Sequence, residues 1–370
     1  MSTQKQLDMR LPLFLGFILL TSSLLTSCGA SKQSAKTSTS TQDRFEVVHF
    51  GFYNFENLFD TIDTKDVRDE SFTVDGDLQW NTPKYFEKQG HIAKVISDMG
   101  TETNKDGLAF FGTSEVENRS VLEDFVKQSA IATRHYKIVH YDSPDKRGID
   151  VALMYQEKYL KVLDSRTHKL TIINEDGSEH PTRDVLYVYG ELLGEPVHIM
   201  VNHWPSRSGG EAKTRPARND AARICKRISD SIMVDHPDAH IIVMGDLNDD
   251  PISPSVKKIL GAKGDMTKVK KKGFYNPWMK PYKNGQGTLA YRDAWSLFDQ
   301  VILSEGWLSP KNDGFKFYKA HVYNPSYLVQ QIGQYRGYPF RTFAGGKYIG
   351  GYSDHFPVYV TAIRKVRDKA

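Results

Sequence analysis

The chain has 370 residues, a formal charge of +4, 39% hydrophobic residues and 25% charged residues. This composition excludes a mostly disordered chain, and the length suits one large core or two small ones rather than a minimal domain. The charge is too slight to select a partner by itself.

The first segment stands apart. "MSTQKQLDMR" carries Lys5 and Arg10, and an apolar "LPLFLGFILLTSSLL" follows, ending in "LTSC" at Cys28. This reads as a targeting signal over residues 1–27, with an apolar run shorter than the ~20 residues that cross a bilayer. "LTSC" resembles the lipobox of bacterial lipoproteins. That resemblance implies a lipidated Cys28 and a protein anchored in the cell envelope, facing the periplasm or the cell surface. A secretory peptide cut nearby is the alternative. Residues 28–43 hold no large apolar side chain and read as a disordered tether. Cys225 is then left without a partner, so no disulfide supports the mature protein.

From Phe45 the elements follow closely. "FEVVHFGFYN" reads as a strand. Lys84 to Met99 places Ile92, Val95, Ile96 and Met99 at helical spacing. "GLAFFGTSEVEN" is an apolar run ending in acids, and "RSVLEDFVKQSAI" reads as a helix. Strands are expected at "YKIVHY", "GIDVALMY", "LKVLDSRTHKLTII", "DVLYVYGELL" and "PVHIMVNHW". Ala221, Ile224, Cys225, Ile228 and Ile232 mark one helical face. "AHIIVMGDLN", a helix-like "SPSVKKIL", a lysine-rich loop, a hairpin-like "GTLAYRDAWSLFDQVILS" and a final "FPVYVTAIRK" complete the series. Adjacent strands with a few interspersed helices argue for one α/β domain with mixed sheets, over residues 44–366.

Six apolar segments end in, or border, polar groups of one kind: Asn54, Glu115, His203, Asp246 with Asn248, Asp299, and Asp354 with His355. A single polar strand end usually caps a turn. Six are expected to meet, because the strand ends of a layered sheet share a rim. Carboxylates, amides and imidazoles without a thiolate suit a hard cation, Mg²⁺, Mn²⁺ or Ca²⁺, rather than structural zinc. Glu56 and Glu117 are alternatives for a second ion. Arg207 and Arg147 are candidate phosphate contacts, since guanidinium matches phosphate oxygens. His49, His91 and His198 fall within regular elements and read as structural.

In this order, Asn54, the Glu115 of "SEVEN", the His203 of "NHW", "GDLN" at 245–248, the Asp299 of "FDQVILS" and "SDH" at 353–355 resemble the endonuclease/exonuclease/phosphatase superfamily. The likeness runs from about Phe45 to Ile363. It implies a DNase I-like four-layer sandwich, two packed mixed β-sheets flanked by helices, and a divalent-metal-dependent phosphodiester hydrolase. It further implies Glu115 as the main metal ligand with Asn54 in support, and Asp354 at the metal or phosphate. Asp246 and Asn248 would face the attacking water and the scissile phosphate, and Asp299 would orient a catalytic His355. His203 places the chain with the two-histidine members. Asp249 and Asp250 match nothing in the pattern and read as turn residues.

The substrate is less constrained, because one fold hosts many activities. Between Lys263 and Lys283 stand seven lysines and one acid, with Tyr275, Trp278 and Tyr282 among them. Basic charge interleaved with aromatics suits nucleic acid; a solvated loop and an anionic membrane surface are the other readings. The Ser-Gly-rich stretch after His203 is similarly basic. The expectation is a nuclease acting on DNA or RNA outside the cytoplasm. A phospholipid or sugar-phosphate esterase and a non-catalytic surface binding module are the alternatives, and no protein partner is inferred.

Overall fold

The computed structural model describes residues 44–173, 176–308 and 314–366. The expected signal and tether, Cys28 included, lie outside these residues. No helix among the described residues is long and apolar enough to cross a membrane.

Twelve strands, numbered in chain order, build two sheets: β1 (Phe45–Leu58), β2 (Leu108–Val116), β3 (Lys137–His140), β4 (Asp150–Tyr155), β5 (Leu160–His168), β6 (Val185–Leu192), β7 (Glu195–His203), β8 (His240–Asp246), β9 (Phe274–Tyr275), β10 (Asp299–Ser304), β11 (Lys316–Val322) and β12 (Val358–Lys365). The first sheet runs β11-β12-β1-β2-β4-β3 and the second β9-β10-β8-β7-β6-β5. Each is built around one parallel pair, β1 with β2 and β7 with β8, flanked by antiparallel strands. The C-terminal ends of the parallel strands therefore lie beside the N-terminal ends of β12 and β10.

Strand periodicity explains the layers. Alternate residues Val48, Phe50 and Phe52 of β1, Ile199 and Val201 of β7, Ile242 and Met244 of β8, and Val358 and Val360 of β12 fill one core between the sheets. The intervening residues face outward. Phe111 and Tyr359 pack with Ile92, Ile96, Leu122 and Phe125 of helices α1 (Thr82–Asp98) and α2 (Arg119–Val126). Met200, Ile241 and Val243 pack under Ala221, Cys225 and Ile228 of α3 (Glu211–Asp235). Strands buried on both faces read as near-continuous apolar runs, so the expected sandwich of two mixed sheets with flanking helices is what forms.

Several elements differ in extent from the sequence reading. α1 begins two residues early, because the Asn81 side chain accepts from the Lys84 amide and a proline sits in the first turn. α3 begins at Glu211 and absorbs much of the basic stretch after His203, with Pro216 inside it. The expected single hairpin near 290 is two things: a short ladder of Leu289–Tyr291 with Ala294–Ser296, and then β10. Arg292 and Asp293 turn the ladder with φ of +50° and +63°, as a two-residue hairpin turn requires. β11 carries no strand signal in the sequence, because its half-exposed "KFYKAHV" has no clean alternation.

Gly245 shows how tightly the parallel pair is built. Its φ is +155°, and a β-carbon there would lie 2.1 Å from the Asn202 carbonyl oxygen on β7. The obstacle is backbone, which cannot swing aside. Gly245→Ala is expected to destabilise the fold by about 2 kcal/mol or more, read as a lowered urea midpoint. An unchanged midpoint would contradict this packing.

Candidate active site

The rim is assembled by register. Asp246 at the end of β8 pairs with Asp299 at the start of β10 and with His203 at the end of β7. All three share the parity of the inward-facing Met244, Val301 and Val201, so they line the gap between the sheets. Asn54 continues the inward face of Phe52 on β1, and its Nδ2 donates to Asp246 Oδ2 across the gap at 3.2 Å. The two sheets thus meet at their polar ends.

Irregular backbone presents the acids. The β1–β2 ladder slips between Asn54 and Leu58, and the β2–β4 ladder slips between Ser114 and Val116. Inside these bulges Glu56, Asn57 and Glu115 have φ of +50°, +50° and +59°, and Asn248 has +48°. Non-glycine residues adopt this region at a cost, and such strain gathers at functional sites. The Glu115 carboxylate accepts the Asn57 amide at 3.0 Å through Oε2, while Oε1 lies 3.8 Å from His203 Nε2. Asn54 Oδ1 accepts the Glu56 amide at 2.8 Å, and Asp246 Oδ1 accepts the Asn248 amide at 2.9 Å. Asn248 Nδ2 donates to the Trp204 carbonyl at 2.9 Å.

The two histidines are in opposite electrostatic states. His355 Nδ1 and Asp299 Oδ2 are 2.6 Å apart, with Asp299 fully buried. Burial opposes a cation there, but Asp299, Asp246 and Asp354 outweigh it and hold the His355 proton well above the ordinary imidazole range. His203 is pushed well below that range by burial, then by Arg183, Arg147 and His355. Its Nε2 lies 3.6 Å from Asp246 Oδ2, and its buried Nδ1 has no hydrogen-bond partner among the described residues. Burial also raises the Asp246 carboxyl to about 7, with His355 opposing and Asp299 reinforcing the shift. In metal-free protein at pH 7, nitrogen-15 spectra of histidine-labelled samples are expected to show His203 neutral and His355 protonated, each assigned by its loss in a His→Gln variant. Two imidazoles titrating together near 6.5 would refute this.

Behind the rim lies a layer that sequence reading missed. Lys88 of α1, 1% exposed, donates to the Glu56 carbonyl and, at 2.7 Å, to Thr342 Oγ1. Arg341 pairs with Asp354 and reaches Glu56 Oε1 at 3.7 Å. The only sequence signal for Arg341 is its place in "FRTF", shortly before "SDH". Glu56 is thus enclosed by cations, and burial foremost raises its carboxyl to about 7. Glu117, also raised to about 7 by burial, accepts the Asp60 amide and the Thr64 hydroxyl.

The two candidate arginines are placed differently. Arg207 Nε donates to the Asn248 carbonyl at 3.0 Å, and its Nη2 pairs with Asp249 and Asp250 at 3.2 and 3.1 Å. Asp249 also pairs with the buried Arg218 at 2.8 Å, and Asp250 accepts the Leu297 amide at 2.9 Å. The two aspartates are therefore clamps that hold the loop after β8 rather than mere turn residues. Arg147 stands in a cleft beside Pro205, and Arg183, buried nearby, donates to Asp145 and to the Trp204 carbonyl. The part of the lysine-rich stretch around Lys270 to Lys272 lies elsewhere, whereas its other end returns to the loop after β8, with Tyr282 beside Asp250 and Arg207. Gly273 and Phe274 contact Glu305 and Ser304, five positions and roughly 17 Å along β10 from Asp299. His49 and His198 are likewise away from the rim, bonded to Thr361 and Tyr187. A cavity of about 990 Å³ lies at the other end of the strands too, where Arg364 is paired with Glu46 and Glu195.

The rim's donor set fits a hard divalent cation. Glu115 and Asp354 offer carboxylate oxygens and Asn54 an amide oxygen, each fixed by another bond. Few protein oxygens with room for water and phosphate are what Mg²⁺ takes. Among the described residues, three acid or imidazole ligand atoms fall within 4.8 Å of one another at His140, Asp142 and Asp150, with Asp142 exposed, and not at the rim.

A row of acids, amides and two imidazoles between the polar ends of paired sheets is the candidate active site. The sequence profile of the endonuclease/exonuclease/phosphatase family matches residues 49–365, and the chain belongs to that family, whose members are phosphoric ester hydrolases that typically use divalent metal ions. Among solved structures, a family protein from Bacteroides thetaiotaomicron is 14% identical with a TM-score of 0.52, covering 89% of this chain and 99% of its own. A humanized D. rerio TDP2 is 14% identical with a TM-score of 0.51, covering 85% and 98%. A mannosyl-6-phosphatase from B. thetaiotaomicron VPI-5482 is 16% identical with a TM-score of 0.51, covering 85% and 99%. At these identities the likeness establishes the fold alone. No curated protein sequence matches the chain.

Proposed function

We propose that the protein is a Mg²⁺- or Mn²⁺-dependent phosphodiesterase of the cell envelope that cleaves nucleic acid. The observation that supports the chemistry is the shared rim of Asp246, Asp299, His203 and His355, bridged to the other sheet by Asn54. In this reading Asp246 takes a proton from water as its oxygen attacks phosphorus. The bond from phosphorus to the leaving oxygen breaks, and the His355 imidazolium, oriented by Asp299, donates a proton to that oxygen. Asn248 and neutral His203 position the phosphate. A bound cation would be held by Glu115, Asn54 and Asp354 and would neutralise charge on the non-bridging oxygens.

A second reading, a sugar-phosphate esterase, draws support from the position of Lys270, Lys271 and Lys272. They lie by the far end of β10 and do not extend the rim's charge toward a long polyanion. A neighbour of the same fold is a mannosyl-6-phosphatase. Plasmid DNA, single-stranded RNA, a hexose phosphate and a phospholipid, each with Mg²⁺, Mn²⁺ or Ca²⁺, separate the readings. Intact DNA and RNA under conditions where a small phosphoester is turned over would end the nuclease reading. Envelope location rests on acylation at Cys28; a mature N-terminus without lipid by mass spectrometry would remove it.

A further inference from the structure

Beside the rim, on the side of His203, opens a cleft of about 700 Å³, a volume within the range of small-molecule sites. Its inner edge is Pro205 and Ser206, directly after His203 and Trp204. Three other segments meet there: the loop carrying Arg68, the loop of Lys146 and Arg147, and the first turn of α3 with Lys213. The loops are tied together, since the Arg68 amide donates to the Lys146 carbonyl at 2.9 Å.

The cleft holds an excess of positive charge. Asp145 is spent on Arg183 Nη1 and on the Arg147 amide, both at 2.9 Å. Asp220 pairs with Arg223. Arg68, Lys146 and Lys213 are exposed and have no carboxylate partner among the described residues, although all three line one concavity. Arg183, 6% exposed, also lines it, and its buried Nε has no hydrogen-bond partner among the described residues. Ile172 and Ile173 supply an apolar wall. By contrast, Arg364 of the 990 Å³ cavity at the other end is paired with two glutamates.

We propose that this cleft binds a second phosphate of the substrate, one that stays uncleaved while the first is hydrolysed at the rim. The proposal rests on the phosphoesterase reading and deepens it. Cations converging from separate segments, together with an apolar wall, suit an anionic group carried on a ring. A nucleic-acid strand supplies such a group as its next phosphate, and a small sugar bisphosphate supplies it as its second ester. Pro205 and Ser206 line the cleft two and three positions after His203, so the cleft lies next to the rim.

The test uses the triple variant Arg68→Gln, Lys146→Gln, Lys213→Gln in the full chain, all three being exposed positions away from the reacting groups. Calorimetric titration without divalent cation, which needs no turnover, compares a 5′-phosphorylated dinucleotide, a hexose bisphosphate and a hexose monophosphate. The variant is expected to weaken binding of at least one two-phosphate ligand 10-fold or more, as loss of several charge-assisted contacts implies, and to bind the monophosphate unchanged. Which two-phosphate ligand responds identifies the source. Equal affinities of variant and wild type for both would overturn the cleft assignment, as would an equal loss for the monophosphate. Turnover of bis(4-nitrophenyl) phosphate, too short to reach the cleft, is expected to be unchanged in the variant. Its absence in wild type would count against the phosphoesterase reading and leave the binding result standing.

Discussion

His355→Ala is expected to lower phosphodiester turnover by about 10²- to 10⁴-fold, the scale of a general acid or base. The reason is the buried pair with Asp299 at 2.6 Å, which keeps the imidazole protonated and fixes its tautomer. Asp299→Asn keeps the shape but removes the charge, so its loss should approach that of His355→Ala. The double variant should be scarcely worse than either single one, because residues acting as a unit are not additive. Multiplying losses would show two independent roles and contradict the pairing. Circular dichroism of each variant separates lost chemistry from lost fold.

Glu115→Gln is expected to weaken divalent-metal affinity by at least about 10-fold, a loss that even groups merely supporting a ligand produce, and to take most of the activity with it. Glu115 is held in a bulge at φ +59° with one oxygen fixed by the Asn57 amide, so the substitution alters charge more than position. Chelation should abolish activity of the unmodified protein, and Mg²⁺ or Mn²⁺ should restore it. Asp142→Asn, in the cluster of His140 and Asp150, should leave that response unchanged. Full hydrolysis in excess chelator would sink the metal-dependent mechanism.

Much of this architecture was legible because strands buried on both faces leave plain apolar runs, and because their polar ends stand out against them. Asn54, Glu115, His203, Asp246, Asp299 and His355 could all be found that way. Period-two parity explains why Asn54, His203, Asp246 and Asp299 face one gap. Glu115, which has the parity of outward-facing Phe111, is turned by its bulge, and His355 stands in the loop before β12. What was not legible depends on contacts between distant segments. Nothing local distinguishes Arg341 from a loop arginine until it is seen against Asp354 and Glu56. Lys88 falls on a helix face that its neighbours mark as buried, yet its partners, the Glu56 carbonyl and Thr342, are remote in sequence. Arg207 looked free to bind phosphate, but Asp249 and Asp250 engage it. The lysines near 270 suggested a nucleic-acid surface through composition alone, and composition carries no direction along a strand.

Anomalous diffraction from crystals soaked with Mn²⁺ and inorganic phosphate tests the central claim most directly. The account predicts a manganese peak against the Glu115 carboxylate and the Asn54 amide oxygen, with phosphate between them and the two histidines. Manganese bound only at His140, Asp142 and Asp150, with no ion or phosphate at the rim, would contradict it.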